Sequence, residues 1–154
     1  MPVDAATPQE LAAFTELIHR WTERELRDSP VLVAVDHDPA ECRWYVRIKG
    51  EEKGFTTVWL TLRQRTLHYE TYFMPAPEEN IEACYEYLLR INQKLFAMRF
   101  AIGLEDAVYL VGQMPLSAVD EGELDRVVGS TYAYVEQYFR PVLQMAFASR
   151  LRKQ

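Results

Sequence analysis

"LLRINQKLFAMRFAIG", residues 88–103, decides the fold, because a helical pattern hands over to a strand inside it. Leu88, Leu89, Leu95 and Phe96 keep the spacing of an amphipathic helix, and "RFAIG" reads as a strand. Asn92 interrupts the helical apolar pattern with an amide. What lies on either side of this join sets the architecture.

Upstream, four strand-like segments follow one another. "VLVAV" is short and wholly apolar. "RWYVRIK" alternates, with Trp44, Val46 and Ile48 on one face and Arg43, Tyr45, Arg47 and Lys49 on the other. After the turn "GEEKG", "FTTVWLTL" puts Val58, Leu60 and Leu62 on one face and Phe55, Thr57, Trp59 and Thr61 on the other. After "RQR", "TLHYETYFM" sends Leu67, Tyr69 and Phe73 inward. Connections this short force antiparallel neighbours, so the segments form a meander. Before them, "TPQE" opens a helix: Thr7 caps, Pro8 takes the first turn and Glu10 closes a capping box. Leu11, Phe14, Leu17, Ile18 and Trp21 continue that helix until "DSP" stops it near Arg27.

"MPAPEEN" ends the sheet run and starts a second helix, with Glu78 and Glu79 at the positive end of its dipole. The expected buried stripe is Ile81, Tyr85, Leu88, Leu89, Leu95 and Phe96. "RFAIG" and "AVYLVGQM" then flank the turn "LEDA" as two more strands. A last helix begins near "DEGE", capped by Asp120 with Glu123 closing the box. Leu124, Val127, Val128, Thr131, Val135, Tyr138, Phe139, Val142 and Phe147 form its apolar face, and Pro141 is expected to kink or divide it. The order is α-β-β-β-β-α-β-β-α. Strands and helices do not alternate singly, which predicts an α+β fold with a mostly antiparallel sheet and three main helices.

The chain has 154 residues, 49% hydrophobic and 26% charged, as expected of one globular unit spanning about residues 8–150 with short termini at 1–7 and 151–154. It contains no internal repeat and no apolar run long enough to span a membrane. "MPVDAATPQE" has neither the basic start nor the apolar core of a secretory signal, so the expected location is the cytoplasm. Cys42 and Cys84 are lone cysteines that read as reduced thiols, although pairing stays open. The net charge of −6, from 17 basic and 23 acidic residues, argues against a large nucleic-acid footprint.

Five stretches, "WYVRIKGE", "TVWLTLRQRTLHYETYFMPAPEEN", "LLRINQKLFAMRFAIG", "VYLVGQMPLSAV" and "ELDRVVGSTYAYVEQYF", resemble the YbjN-domain family, bacterial proteins described as sensory transduction regulators. The resemblance covers roughly residues 8–150 and is most specific at the join from "LLRIN" to "RFAIG" and at "PAPEEN". It implies a fold like that of type III secretion chaperones, a tendency to form homodimers and action through protein contacts. It brings no catalytic motif with it.

Five groups of residues are weighed as candidates for function. Asn92 is expected to act as a structural clamp, its amide bonded to backbone near the following strand, since a buried polar group without a partner costs about 1–3 kcal/mol. Tyr45, Phe55, Trp59 and Tyr72, with His68 and Glu70 among them, share the outer face of the meander. A solvent-facing sheet is mostly polar, so these rings are covered either by the chain's own helices or by a partner, a second copy or a ligand. "VDHDPAEC", residues 35–42, gathers Asp36, His37, Asp38, Glu41 and Cys42, and reads as a hairpin turn rather than a metal site. "KGFTTVWL", residues 53–60, partly echoes an RNA-recognition strand, but Thr56 and Thr57 break the pattern. "RLRKQ" reads as cation placement at a helix end. Neither a phosphate loop nor a nucleophile motif is present, and His19, His37 and His68 are scattered.

The reading is therefore a non-catalytic, homodimeric protein-binding module of regulatory or chaperone-like role. It has no cofactor, no metal, and no nucleic-acid or membrane partner. The alternative is a small-ligand protein or enzyme with a cleft between the last helix and the sheet, using His68, Glu70 and Tyr72.

Overall fold

The computed structural model describes residues 4–152. Of the terminal stretches set apart above, residues 1–3 and 153–154 lie outside the described residues.

Helix α1 (Pro8–Asp28) leads into strands β1 (Leu32–Asp38), β2 (Arg43–Lys49), β3 (Phe55–Leu62) and β4 (Thr66–Met74). Helix α2 (Ile81–Asn92), strands β5 (Arg99–Ile102) and β6 (Val108–Pro115), helix α3 (Glu121–Ala146) and a short α4 (Ala148–Arg152) complete the chain. The six strands form one antiparallel sheet in the order β1-β2-β3-β4-β6-β5. The fold is α+β, as the element order predicts.

The start of α1 follows from its capping box: the Glu10 amide donates to the Thr7 hydroxyl, and the Thr7 amide to the Glu10 carboxylate, both at 3.1 Å. Trp44, Val46, Val58, Leu60, Tyr69, Phe73 and Leu110 are buried on one face of the sheet. The helices pack there, through His19 on Trp44, Phe139 on Phe73 and Tyr138 on Phe100. The core thus lies between the helices and one side of the sheet.

Several expectations need correcting. β1 runs to Asp38, further than "VLVAV" suggests, because an edge strand accepts Asp36 and Asp38 on its open side. α2 starts at Ile81, so Glu78 and Glu79 precede it rather than fill its first turn. Their amides instead donate to the Ala146 carbonyl, and the Asn80 side chain donates to Met145 O, which binds this segment to the end of α3. The residues of α2 that are buried are Cys84, Leu88 and Ile91; Ile81, Leu89 and Phe96 are exposed. Asp120 caps α3 by accepting from the Glu123 amide, but the Glu123 carboxylate turns to Arg126 at 2.7 Å. α3 runs undivided through Pro141 to Ala146.

Candidate functional site

The sheet's second face is built by strand alternation. Register places Tyr45 opposite Trp59, Arg43 opposite Thr61, and Arg47 opposite Thr57. Trp59 lies opposite Glu70, Thr61 opposite His68, and Tyr72 opposite Tyr109. The helices pack on the other side, and Trp59, Tyr72 and Phe55 remain 37%, 45% and 47% exposed. The large rings expected there are therefore present and open to solvent.

Tyr45 and Trp59 meet edge to face at 5.2 Å between ring centres. The Arg43 guanidinium sits 4.8 Å over the Trp59 ring, steered by a 2.9 Å hydrogen bond from its Nε to the Thr61 hydroxyl. Phe55 stands apart from that pair, with Arg47 3.9 Å over its ring. Tyr72 pairs instead with Tyr109, at 5.7 Å. Burial, together with Tyr109 and Glu105, raises the Tyr72 phenol above its ordinary value. His68 lines a recess of about 110 Å³ with Arg63, Glu70, Arg99 and Gln113. Burial first, then the Arg63 charge, lowers its imidazole. The structure thus unites Tyr45 with Trp59 and distributes Phe55, Tyr72 and His68 along the same face. His68, Glu70 and Tyr72 lie on the side away from α3, so a cleft between that helix and the sheet does not contain them.

Sequence reasoning placed Arg43 and Arg47 on this face without giving them a role, and it missed Tyr109. The alternation of Val108 and Leu110 inward was the available signal for Tyr109. It also missed Glu136, whose carboxylate accepts from the amides of Glu51, Glu52 and Lys53 at 3.0, 2.7 and 3.4 Å. The β2–β3 hairpin tip is wrapped around that carboxylate so closely that a Cβ on Gly50 would lie 2.1 Å from Glu136 Oε1. Beside it, Lys53 Nζ donates to the carbonyls of Tyr72 (2.7 Å) and Phe73 (3.1 Å), and burial pulls its ammonium down to about 8.

The Asn92 amide sits at the end of α2, beside β5. Its Nδ2 donates to Phe100 O at 3.2 Å, and Phe100 N donates to its Oδ1 at 2.7 Å. Both backbone groups of Phe100 face away from β6, so Asn92 fills the hydrogen-bonding sites of an edge strand at that residue. The acidic turn disperses: Asp38 Oδ1 accepts from the Ala40 and Glu41 amides, while His37 turns inward and stacks on Trp44 at 4.6 Å. His19 lies 4.5 Å from His37 and accepts from Trp44 Nε1. Among the described residues no three His, Cys, Asp or Glu side chains gather as a metal-holding group. Among them, too, no helix is long and apolar enough to cross a membrane.

Helices on one side of a six-stranded antiparallel sheet define an α+β fold like that of type III secretion chaperones. A chain of the ExsC–ExsE complex superposes with a TM-score of 0.58 at 19% identity, over 82% of this chain and 93% of the other. A chain of the HopA1–SchA chaperone–effector complex gives 0.59 at 11% identity, over 91% and 99%. The sequence profile of the YbjN family, "Putative bacterial sensory transduction regulator", matches residues 22–144. The chain belongs to the YbjN family. Uncharacterized protein ML2442 of Mycobacterium leprae is 34% identical over 73% of this chain, and uncharacterized protein Rv0487 of Mycobacterium tuberculosis is 34% identical over 71%. These matches span only 61% and 60% of the relatives' own length.

Proposed function

We propose that this protein is a non-catalytic protein-binding module, regulatory or chaperone-like, that works as a homodimer in the cytoplasm and captures a segment of another protein on its outer sheet face. The observation that carries the reading is the open Tyr45–Trp59 pair with Arg43 over the indole. Exposed aromatic and Arg side chains in mutual contact are what protein interfaces favour as anchors. The face also differs in charge from the rest of the chain. Strands β1 to β5 present Arg43, Arg47, Lys49 and Arg99 there against Asp36, Asp38 and Glu70, a slight basic excess in a protein of net charge −6. The fitting partner is an acidic segment carrying at least one large apolar side chain. The described fold neighbours include a chaperone bound to an effector, and the family is described in regulatory terms, both in keeping with this role. Both cysteines are free thiols, in keeping with a reducing compartment.

The test compares proteins captured from native cells by the tagged wild type, by Trp59→Ser and by Arg43→Glu. The expected result is a shared protein lost from both variants, whose purified acidic segment binds the wild type and not Trp59→Ser by calorimetry. Equal capture by all three proteins, with each variant folded by circular dichroism, would remove the outer face from consideration.

A further inference from the structure

We propose that the recess around His68 is a carboxylate-binding site, and that the segment captured on the outer face supplies the carboxylate from an acidic side chain. The site stands on its own geometry; only the source of the carboxylate rests on the reading above.

Strand register builds the recess. Thr61 on β3, His68 on β4 and Gln113 on β6 lie opposite one another across three adjacent strands. Two residues along, and so on the same face, Glu70, Val111 and Arg99 form the next row across β4, β6 and β5. Arg63, two residues beyond Thr61, completes the wall of a space of about 110 Å³. That holds a carboxylate group and is well short of the roughly 300 Å³ that a drug-sized ligand fills.

The polar groups around it are available to a ligand. Thr61 is buried, and its hydroxyl accepts from Arg43 Nε, which leaves the O–H proton to donate. Among the described residues neither Arg63 nor Arg99 forms an ion pair, and neither does Glu70. All three nonetheless act on one imidazole. Burial and then Arg63 lower that of His68, Glu70 opposes them, and Arg99 adds a further lowering. Charges from the end of β3, from β4 and from β5 therefore converge on His68.

The charge balance identifies the ligand. With His68 neutral, two guanidiniums face one carboxylate, an excess of a single positive charge. A carboxylate brings one negative charge and two oxygens that fit the planar fork of a guanidinium. A phosphate dianion would bring a second negative charge up against Glu70. The recess also adjoins the exposed indole, because Trp59 lies opposite Glu70. In an extended segment, side chains two residues apart share a face at a spacing of about 7 Å. One apolar side chain can then rest on Trp59 while an acidic one, two residues on, enters the recess. Its negative charge beside His68 favours the imidazolium, so binding tightens as pH falls, until the ligand's own carboxylate is protonated.

Proton NMR of the histidine rings in the full chain tests this, with acetate as the first probe and ionic strength held constant. Saturating acetate is expected to raise the His68 titration midpoint by about one pH unit, equivalent to binding the imidazolium about tenfold more tightly than the imidazole. His19 and His37 should stay in place. Arg63→Gln and Arg99→Gln, both at exposed positions and checked for folding by circular dichroism, should each raise the midpoint without acetate and abolish the response to it. Inorganic phosphate at neutral pH should act more weakly than acetate. The second probe is a pair of peptides, acetyl-Leu-Ala-Glu-amide and acetyl-Leu-Ala-Gln-amide. The first is expected to bind about tenfold more tightly, a difference lost in Arg99→Gln, while Trp59→Ser weakens both. No response of His68 to acetate, an undiminished response in the arginine variants, or phosphate binding more tightly than acetate would each overturn the inference. Equal binding of the two peptides would overturn it too, and would leave the outer-face reading standing. A response to acetate with neither peptide bound would keep the carboxylate site, assign it to a free organic acid and overturn the outer-face reading instead.

Discussion

Replacing Asn92 with alanine removes two hydrogen bonds at once, one to each backbone group of Phe100. Each is worth a net of about 1 kcal/mol, so the loss begins at about 2 kcal/mol. It rises toward about 3 kcal/mol to the extent that the freed groups stay dry, and Phe100 is buried. For a chain of this length each kcal/mol moves the melting temperature by about 2–4 °C, which predicts a fall of about 4–12 °C. Calorimetry or a circular dichroism melt measures that fall, and hydrogen exchange at the Phe100 amide reports it locally as lost protection. Asn92→Asp is the sharper control. Its carboxylate can accept from the Phe100 amide but cannot donate to the Phe100 carbonyl, so at neutral pH it is expected to be no better than alanine. Protonating that carboxylate at acid pH restores a donor and should narrow the gap to the wild type. A second signature follows from the fold: with Asn92 gone, β5 offers unpaired backbone groups at the sheet's rim, and the variant is expected to form aggregates on concentration. Wild-type melting together with unchanged exchange at Phe100 would refute the clamp.

Gly112→Ala would put a Cβ 2.2 Å from Tyr69 Cε2 and 2.5 Å from Ala97 O, at the site of the hydrogen bond from the Tyr69 hydroxyl to Ala97 O. It is expected to cost about 1–3 kcal/mol in urea unfolding. Glu136→Ala should raise amide exchange selectively at Glu51, Glu52 and Lys53, as read by mass spectrometry of the hairpin peptide. His37 titrates below its ordinary value because of burial first and then the His19 charge, with Asp38 opposing. A lowered folded value means that stability is complete above the unfolded value of about 6.5 and declines as pH falls through it and through the folded value. His37→Asn should flatten that decline in melts from about pH 8 to about pH 5.

The fold was largely legible because its signals were local. Thr7 and Glu10 fix one end of α1, and short turns with strict alternation fix β2, β3 and β4 at their observed limits. The stripe of α2 was misread because periodicity gives the angle of a side chain about the axis and says nothing of what lies over it. Leu88 and Leu89 are adjacent in that pattern, yet one is buried and the other exposed. At the candidate site, Tyr45 and Trp59 were legible once the turn "GEEKG" set their register. Tyr109 was not, because β6 reaches the outer face only by inserting between β4 and β5. Glu136 was out of reach for the same reason, since more than eighty residues separate it from the amides it binds.

The carboxylate of Glu136 also couples two layers mechanically. It anchors the tip of the hairpin that launches Phe55 and Trp59, and one turn further on Arg140 grips Glu52 of the same tip. Tilting that hairpin therefore drags α3, and a shift of α3 re-aims Phe55 and Arg47. On the proposed reading, a segment seated on the aromatic side is expected to be felt by the helical layer through this tether.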